Sequence, residues 1–211
     1  MGMRLSELVA DHKAALMDSA AKFTAAADAD FERHLDIAAR DVSRVLPRVI
    51  SATLTVEAGV SFYAAPADLM RVKYSTWGDE SRQRLSRWDA NYPHYLPKMS
   101  LVEDSGARKI ALTPPPTACQ IAVCGSEYPY RYYAQHILSD VEGETTVPED
   151  RRDLLLLRAA AEAMRELAAH GVAKPIQIGG SVSVSMPKNG TPAALYEMLM
   201  KEYRGQAWRV G

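Results

Sequence analysis

The stretch Thr146–Gly171, TVPEDRRDLLLLRAAAEAMRELAAHG, decides how the rest of the chain is read. Thr146 and Glu149 have the Thr-x-x-Glu spacing of a capping box, in which each side chain satisfies a free backbone donor at a helix start. Pro148 suits the first turn, where its missing N–H costs nothing. Glu149 and Asp150 place negative charge at the positive end of the helix dipole. His170 and Gly171 close the helix, with Gly171 able to take a left-handed conformation, and Pro175 keeps it from resuming. Such a helix would run roughly 35 Å. Arg158, Glu162, Arg165 and Glu166 share one narrow face, at i, i+4, i+7 and i+8. Nearly everything else is Leu, Ala or Met. A helix that apolar around most of its girth needs cover on several sides.

Candidates for that cover precede it. Leu5, Leu8, Val9, His12 and Leu16 fall on one helical stripe, so residues 3–23 read as a first helix. Phe31, Leu35, Ala38, Val42 and Val45 make a second amphipathic stripe that stops at Pro47, with Asp28 or Asp30 as its cap. The pattern then changes to alternation. Thr53–Glu57 and Val60–Tyr63 flank Ala58-Gly59 and read as a β-hairpin, with the register left open between a two- and a three-residue loop. Leu69–Tyr74 reads as another strand. Residues 75–106 read as a long functional or interface loop containing a short helical turn, since Gly78, Pro93, Pro97 and Gly106 interrupt it. Lys109–Thr113, Gln120–Cys124 and Tyr128–Gln135 read as extended. Past Gly171, Ile176, Ile178, Val182, Val184 and Met186 share one parity, and Thr191-Pro192 opens a last helix carrying Leu195, Met198, Leu199 and Tyr203.

These patterns predict an α+β fold: a helical bundle built on one long central helix, with an inserted β-rich region and an extended C-terminal arm. The expected segments are a helical hairpin over 1–49, the β-rich insertion over 50–146, the central helix over 147–173 packing with 1–49, and the arm with its terminal helix over 174–211.

Composition removes several function classes. The chain has 211 residues and a net charge of −1, so it is no global nucleic-acid binder of the strongly basic kind. The first residues, MGMRLSELVADHK, have no apolar run of the signal-peptide type. No stretch approaches the roughly 20 apolar residues of a membrane span, so no membrane partner is expected. Two cysteines argue against a disulfide scaffold.

The chain has no glycine-rich nucleotide loop, nucleophile elbow or zincin motif. Cys119 and Cys124 are five apart on an expected strand. They would then point to opposite faces, and the second pair that a zinc site needs is missing. His12 lies on an apolar stripe with no ligand residue at metal spacing and reads as a core or interface histidine. His136 and His170 flank the long helix with no nucleophile beside them. Arg82, Arg84, Arg87, Trp88, Tyr92, His94, Tyr95 and Lys98 mix basic and aromatic types, which suits a protein–protein loop better than DNA because Asp79, Glu80 and Asp89 dilute the charge. Tyr128, Tyr130 and Tyr132 line one strand face and read as sheet packing. No catalytic residue, cofactor or metal is therefore expected.

The run Arg108–Asp140, RKIALTPPPTACQIAVCGSEYPYRYYAQHILSD, followed by TTVPEDRRDLLLLRAAAEAMRELA from Thr145, has a distinctive order of features. A strand ends in prolines. A second strand, a Tyr-rich extended piece and an acidic turn follow, and Thr-x-Pro then opens an Ala/Leu helix. This order, with the leading helical hairpin, resembles the head-to-tail connector (adaptor) proteins of tailed bacteriophages. The β insertion departs from the simplest connectors, which are shorter and nearly all helical, and leaves the subgroup open. The resemblance implies a structural virion protein of the capsid vertex and neck, assembled in the host cytoplasm. It implies a homo-oligomeric ring, usually of twelve copies, between the portal protein and the next neck or tail component, close to double-stranded DNA without reading its sequence.

On that reading, Arg158, Glu162, Arg165 and Glu166 are candidates for the subunit interface. Ile176, Ile178, Val182, Val184, Met186 and Trp208 are candidates for an arm that docks onto the portal. Asp140, Glu142 and Glu144 are candidates to face the channel. Two other classes stay open: a small-molecule-binding or enzymatic α+β domain with 75–106 as a lid, and a DNA-binding accessory factor using Arg82–Lys98.

Overall fold

In the computed structural model, which describes residues 3–170 and 191–210, the helical stripes fold into one unit and the alternating stretches into another. Residues 48–134 form the β unit, and the described residues on either side form the helical unit. Helix α1 (Leu5–Leu16) buries Leu8, Val9, His12 and Leu16. It ends sooner than its stripe implies, because Met17 turns to φ 50° and a 3-10 turn, Met17–Lys22, follows. Helix α2 (Ala29–Val45) buries Phe31, Leu35, Ala38 and Val42. Neither aspartate caps it through a side chain in the expected way. Asp28 pairs with Lys13 at 2.5 Å, and Asp30 accepts from the Ala25 N–H at 3.1 Å.

Helix α5 (Arg152–Ala169) is the centre of this unit. Thr146 does not cap it: its hydroxyl accepts from the Ile137 N–H at 2.8 Å, and the helix opens instead through a 3-10 turn, Glu149–Arg151. Leu154, Leu155, Leu157, Met164 and Leu167 are buried, as are Ala159, Ala160, Ala161 and Ala163, whose short side chains let neighbouring helices come close. Those neighbours are α1, α2 and the last helix, α6 (Pro192–Val210). On α6, Leu195, Leu199, Tyr203 and Ala207 recur every fourth residue and are buried in the same core as α5. The terminal helix is thus part of the bundle. It covers α5 from within the chain.

The β unit has two three-stranded antiparallel sheets, ordered β1-β6-β3 and β2-β5-β4. Strand β1 (Arg48–Thr55) pairs along its whole length with β6 (Glu127–Ala134), so that Ile50, Ala52 and Leu54 stand opposite Tyr132, Tyr130 and Tyr128. The expected hairpin between β1 and β2 (Phe62–Ala64) does not form, since β2 pairs with β5 (Ala107–Thr113) in the other sheet. The Tyr63 hydroxyl lies 3.0 Å from the Glu57 N–H and accepts from it, bracing the intervening turn. Strand β3 (Leu69–Ser75) completes the first sheet on the far side of β6.

The supposed loop 75–106 is largely ordered. It holds α3 (Asp79–Arg84) and β4 (Lys98–Asp104), and β4 turns into β5 through Ser105 and Gly106. Both turn residues have positive φ, the backbone of a two-residue hairpin that follows strand twist. Gly78 also has positive φ, and a Cβ there would sit 2.7 Å from Leu96 Cδ2. Residues 118–124 form a helix, α4 (Ala118–Cys124), where alternation predicted a strand. The reason is a capping box: Thr117 accepts from the Gln120 N–H, and Gln120 reaches back to the Thr117 N–H at 3.0 Å.

Candidate functional surfaces

The charged face of α5 is built into the chain. Arg158 and Glu162 are buried, 6 % and 3 % exposed. Arg158 Nε donates to Asp41 of α2 at 2.6 Å, and its Nη1 donates to Glu162 at 3.1 Å. Arg165, on the solvent side, also donates to Glu162, through Nε at 2.8 Å. Tyr203 of α6 lies beside this network, and burial, with Asp41 adding, pushes its phenol up to about 12. Two arginines thus share one carboxylate that water does not reach, and Asp41 supplies the second negative charge. Arg158 and Glu162 are thus buried and paired within the helical unit. Arg165 keeps most of its side chain in solvent.

Glu166 serves a different cluster. It accepts two bonds from Arg33, at 2.8 and 2.7 Å, and one from His34 Nε2 at 2.8 Å. His34 Nδ1 in turn lies 3.4 Å from His12 Nε2. Both histidines are fully buried, with Phe23 and Phe31 edge-on around them. Burial, together with the neighbouring His34, lowers His12 to about 3. Burial lowers His34 as well, although Glu166 opposes it. Glu166 stays low despite its own burial because His34 and Arg33 donate to it. Neutral rings fix the proton order: His34 donates from Nε2 to Glu166, and His12 donates from Nε2 to His34 Nδ1. This leaves His12 Nδ1 as a bare acceptor, and it is the ring nitrogen without a partner. His12 is a core histidine. The helical spacing of its stripe signalled that, but its partnership with His34 and Glu166 has no local signature.

The acidic turn holds the start of α1. Asp140 accepts from the Ser6 N–H at 2.8 Å, and Glu142 pairs with Arg4 at 2.7 Å. Glu144 accepts from the Ser139 hydroxyl at 2.9 Å. Asp140 thereby does for α1 what a local capping residue does elsewhere. His136 ties the same region to α2: its ring nitrogens lie 2.9 Å from the Thr146 and Leu46 carbonyls, and its N–H donates to Ser43 Oγ.

The basic–aromatic segment resolves into a braced loop. Arg82 Nε donates to the Pro93 carbonyl at 3.1 Å, its Nη2 donates to His94, and Gln120 holds the Tyr95 carbonyl at 2.7 Å. Trp88 and Tyr95 project from it, 96 % and 83 % exposed. Trp208 on α6 is 89 % exposed. Ile176, Ile178, Val182, Val184, Met186 and Gly171 lie outside the described residues. Tyr128, Tyr130 and Tyr132 are buried along one face of β6, and Trp77 stacks on Tyr128 with ring centroids 5.2 Å apart. Cys119 is exposed on α4 and Cys124 half-buried. Among the described residues no group of His, Cys, Asp and Glu is placed to hold a metal ion, and no helix is long and apolar enough to cross a membrane.

No curated protein matches the chain. A chain in the structure titled "Virion of native gene transfer agent (GTA) particle" aligns over 90 % of this chain and 87 % of its own length, at 16 % identity and a TM-score of 0.26. The SU10 adaptor protein family matches residues 3–177, which takes in α1 through α5 and the whole β unit between them. By that match the chain belongs to the SU10 adaptor protein family.

Proposed function

We propose that this chain is a structural virion protein, a head–tail adaptor that assembles with copies of itself into a ring between the portal and the next neck or tail component. The family match over residues 3–177 carries the reading, and its role is mechanical rather than chemical. The surfaces that would make the contacts are the exposed ones. Trp88 and Tyr95 sit on a braced loop, and large aromatic side chains held in solvent are the anchors that interfaces bury. Ile176, Ile178, Val182, Val184 and Met186, with the exposed Trp208 of α6, are the residues proposed to dock onto the portal. Arg165 is the proposed interface member of the α5 face. Asp140 and Glu144, with Glu142, would turn like charge toward DNA passing through the channel.

Native mass spectrometry of the full chain, and electron microscopy with its portal, test this. A closed ring, of about twelve copies by the family resemblance, is expected. A chain that stays monomeric and never engages a portal would refute it.

A further inference from the structure

The β1-β6-β3 sheet has a second face, opposite the buried tyrosines, that the adaptor reading does not use. Alternation along β6 turns Arg131 and Tyr133 outward while Tyr128, Tyr130 and Tyr132 go inward. Ser51 of β1 and Tyr74 of β3 flank Arg131 in register. Arg71 and Lys73 of β3 both lie over the Tyr133 ring, 4.9 and 5.3 Å from its centroid. The Arg131 guanidinium lies 5.6 Å from the Tyr74 ring. Three cations therefore stand together on one sheet face. Among the described residues of 48–134 the ion pair formed is Lys109–Asp104, in the other sheet, so Arg71, Lys73 and Arg131 have no ion-pair partner within the β unit. The acidic residue on this face, Glu127, is at the far end of β6, opposite Thr55. Next to Arg131 the face dips into a shallow cavity of about 270 Å³, lined by Ser51, Thr53, Tyr74, Thr76, Pro129 and Arg131.

We infer that this face binds the phosphate backbone of duplex DNA without reading sequence. A guanidinium beside a cavity lined by the hydroxyl-bearing Ser51, Thr53, Tyr74 and Thr76 is a donor set suited to phosphate oxygens. The flanking cations extend the positive field along β3. The rings argue against a single strand, which binds by stacking bases on free aromatic faces. Here the Tyr133 and Tyr74 faces are already occupied by cations, so the rings support charge rather than offer a platform. This inference rests on the sheet face alone and not on ring assembly.

The test is fluorescence anisotropy of the full chain with a random-sequence duplex oligonucleotide across a salt series, with a single strand of the same length in parallel. Three phosphate contacts predict a log–log slope of about −2.7, an affinity loss of about 40-fold between 50 and 200 mM salt. Arg71→Gln, Lys73→Gln and Arg131→Gln should each lower the slope by about 0.9. Arg84→Gln and Arg87→Gln, in the sequence-predicted basic segment, should leave it unchanged. Circular dichroism confirms that the variants fold.

Absence of duplex binding at low salt would overturn the inference, as would a slope that the three sheet substitutions do not alter. Tighter binding of the single strand would assign the face to stacking instead. A shift in oligomeric mass caused by those substitutions, with no DNA binding, would assign it to a second copy of the chain. A monomer that binds the duplex with the expected slope would uphold this inference while refuting the ring.

Discussion

Burying His12 and His34 makes the helical unit sensitive to acid. His12 is held at about 3, far below the 6.5 of a free histidine. The unfolded chain therefore takes up a proton first as the pH falls, and the folded state loses ground from about 6.5 downward until His12 itself protonates near 3. His34 adds in the same direction. The low carboxyl of Glu166 adds a further loss below the ordinary glutamate range. Chemical denaturation at stepped pH should show stability falling by about 1.4 kcal/mol per pH unit for each proton taken up. His12→Leu should flatten that slope between 6 and 4; an unchanged slope would show that these rings do not govern it. The ion network makes a second test. Glu162→Ala leaves the buried Arg158 with Asp41 alone, and should cost about 3 kcal/mol. Arg165→Ala removes a mostly solvated side chain and should cost under about 1 kcal/mol. Equal losses in urea melts would mean that burial does not set the cost. The spacing of Arg158, Glu162, Arg165 and Glu166 on one face was readable from the sequence. Which of them water reaches was not, because that depends on where α2 and α6 lie.

At the scale of elements, sustained helical periodicity located the long helices, while cap positions, short runs and pairings between distant segments were not fixed by local pattern. The helices α1, α2, α5 and α6 show in the sequence because a 3.6-residue repeat sustained over 12 to 19 residues is a local property. The partner of β1 is β6, more than 70 residues away, and no alternation pattern names a partner. The β1–β2 hairpin failed for that reason. The signal for α4 is Thr117-x-x-Gln120, a capping box that marks a helix start and outweighs the short apolar alternation after it. Ser105-Gly106, the turn between β4 and β5, was readable by the same kind of signal. The terminal helix bears on a deletion test. Leu195 and Leu199 each contribute about 1.5–3 kcal/mol of burial. Truncation before Thr191 should therefore expose α5 and give an insoluble or dye-binding helical unit. A soluble, cooperatively melting truncated chain would show that α6 is an independent arm.

For the whole molecule, the SU10 adaptor protein family match spans residues 3–177, taking in α1 through α5 and the β unit between them. The α+β class came directly from the order of patterns, helical then alternating then helical. Arg48, where the chain enters the β unit, stands opposite Ala134, where it leaves, in the β1–β6 register. Entry and exit are neighbours on adjacent strands, about 5 Å apart. The helical unit thus gives up very little geometry to host its guest. Residues 48–134 can be replaced by a few glycines and serines joining Pro47 to Gln135, and the remaining helices should still melt as one cooperative transition by circular dichroism. Failure to do so would mean that the helices need the guest to fold. Success would make this junction a socket, a place where the lineage can exchange one module for another, or an engineer can insert one, while the rest of the molecule stays the same.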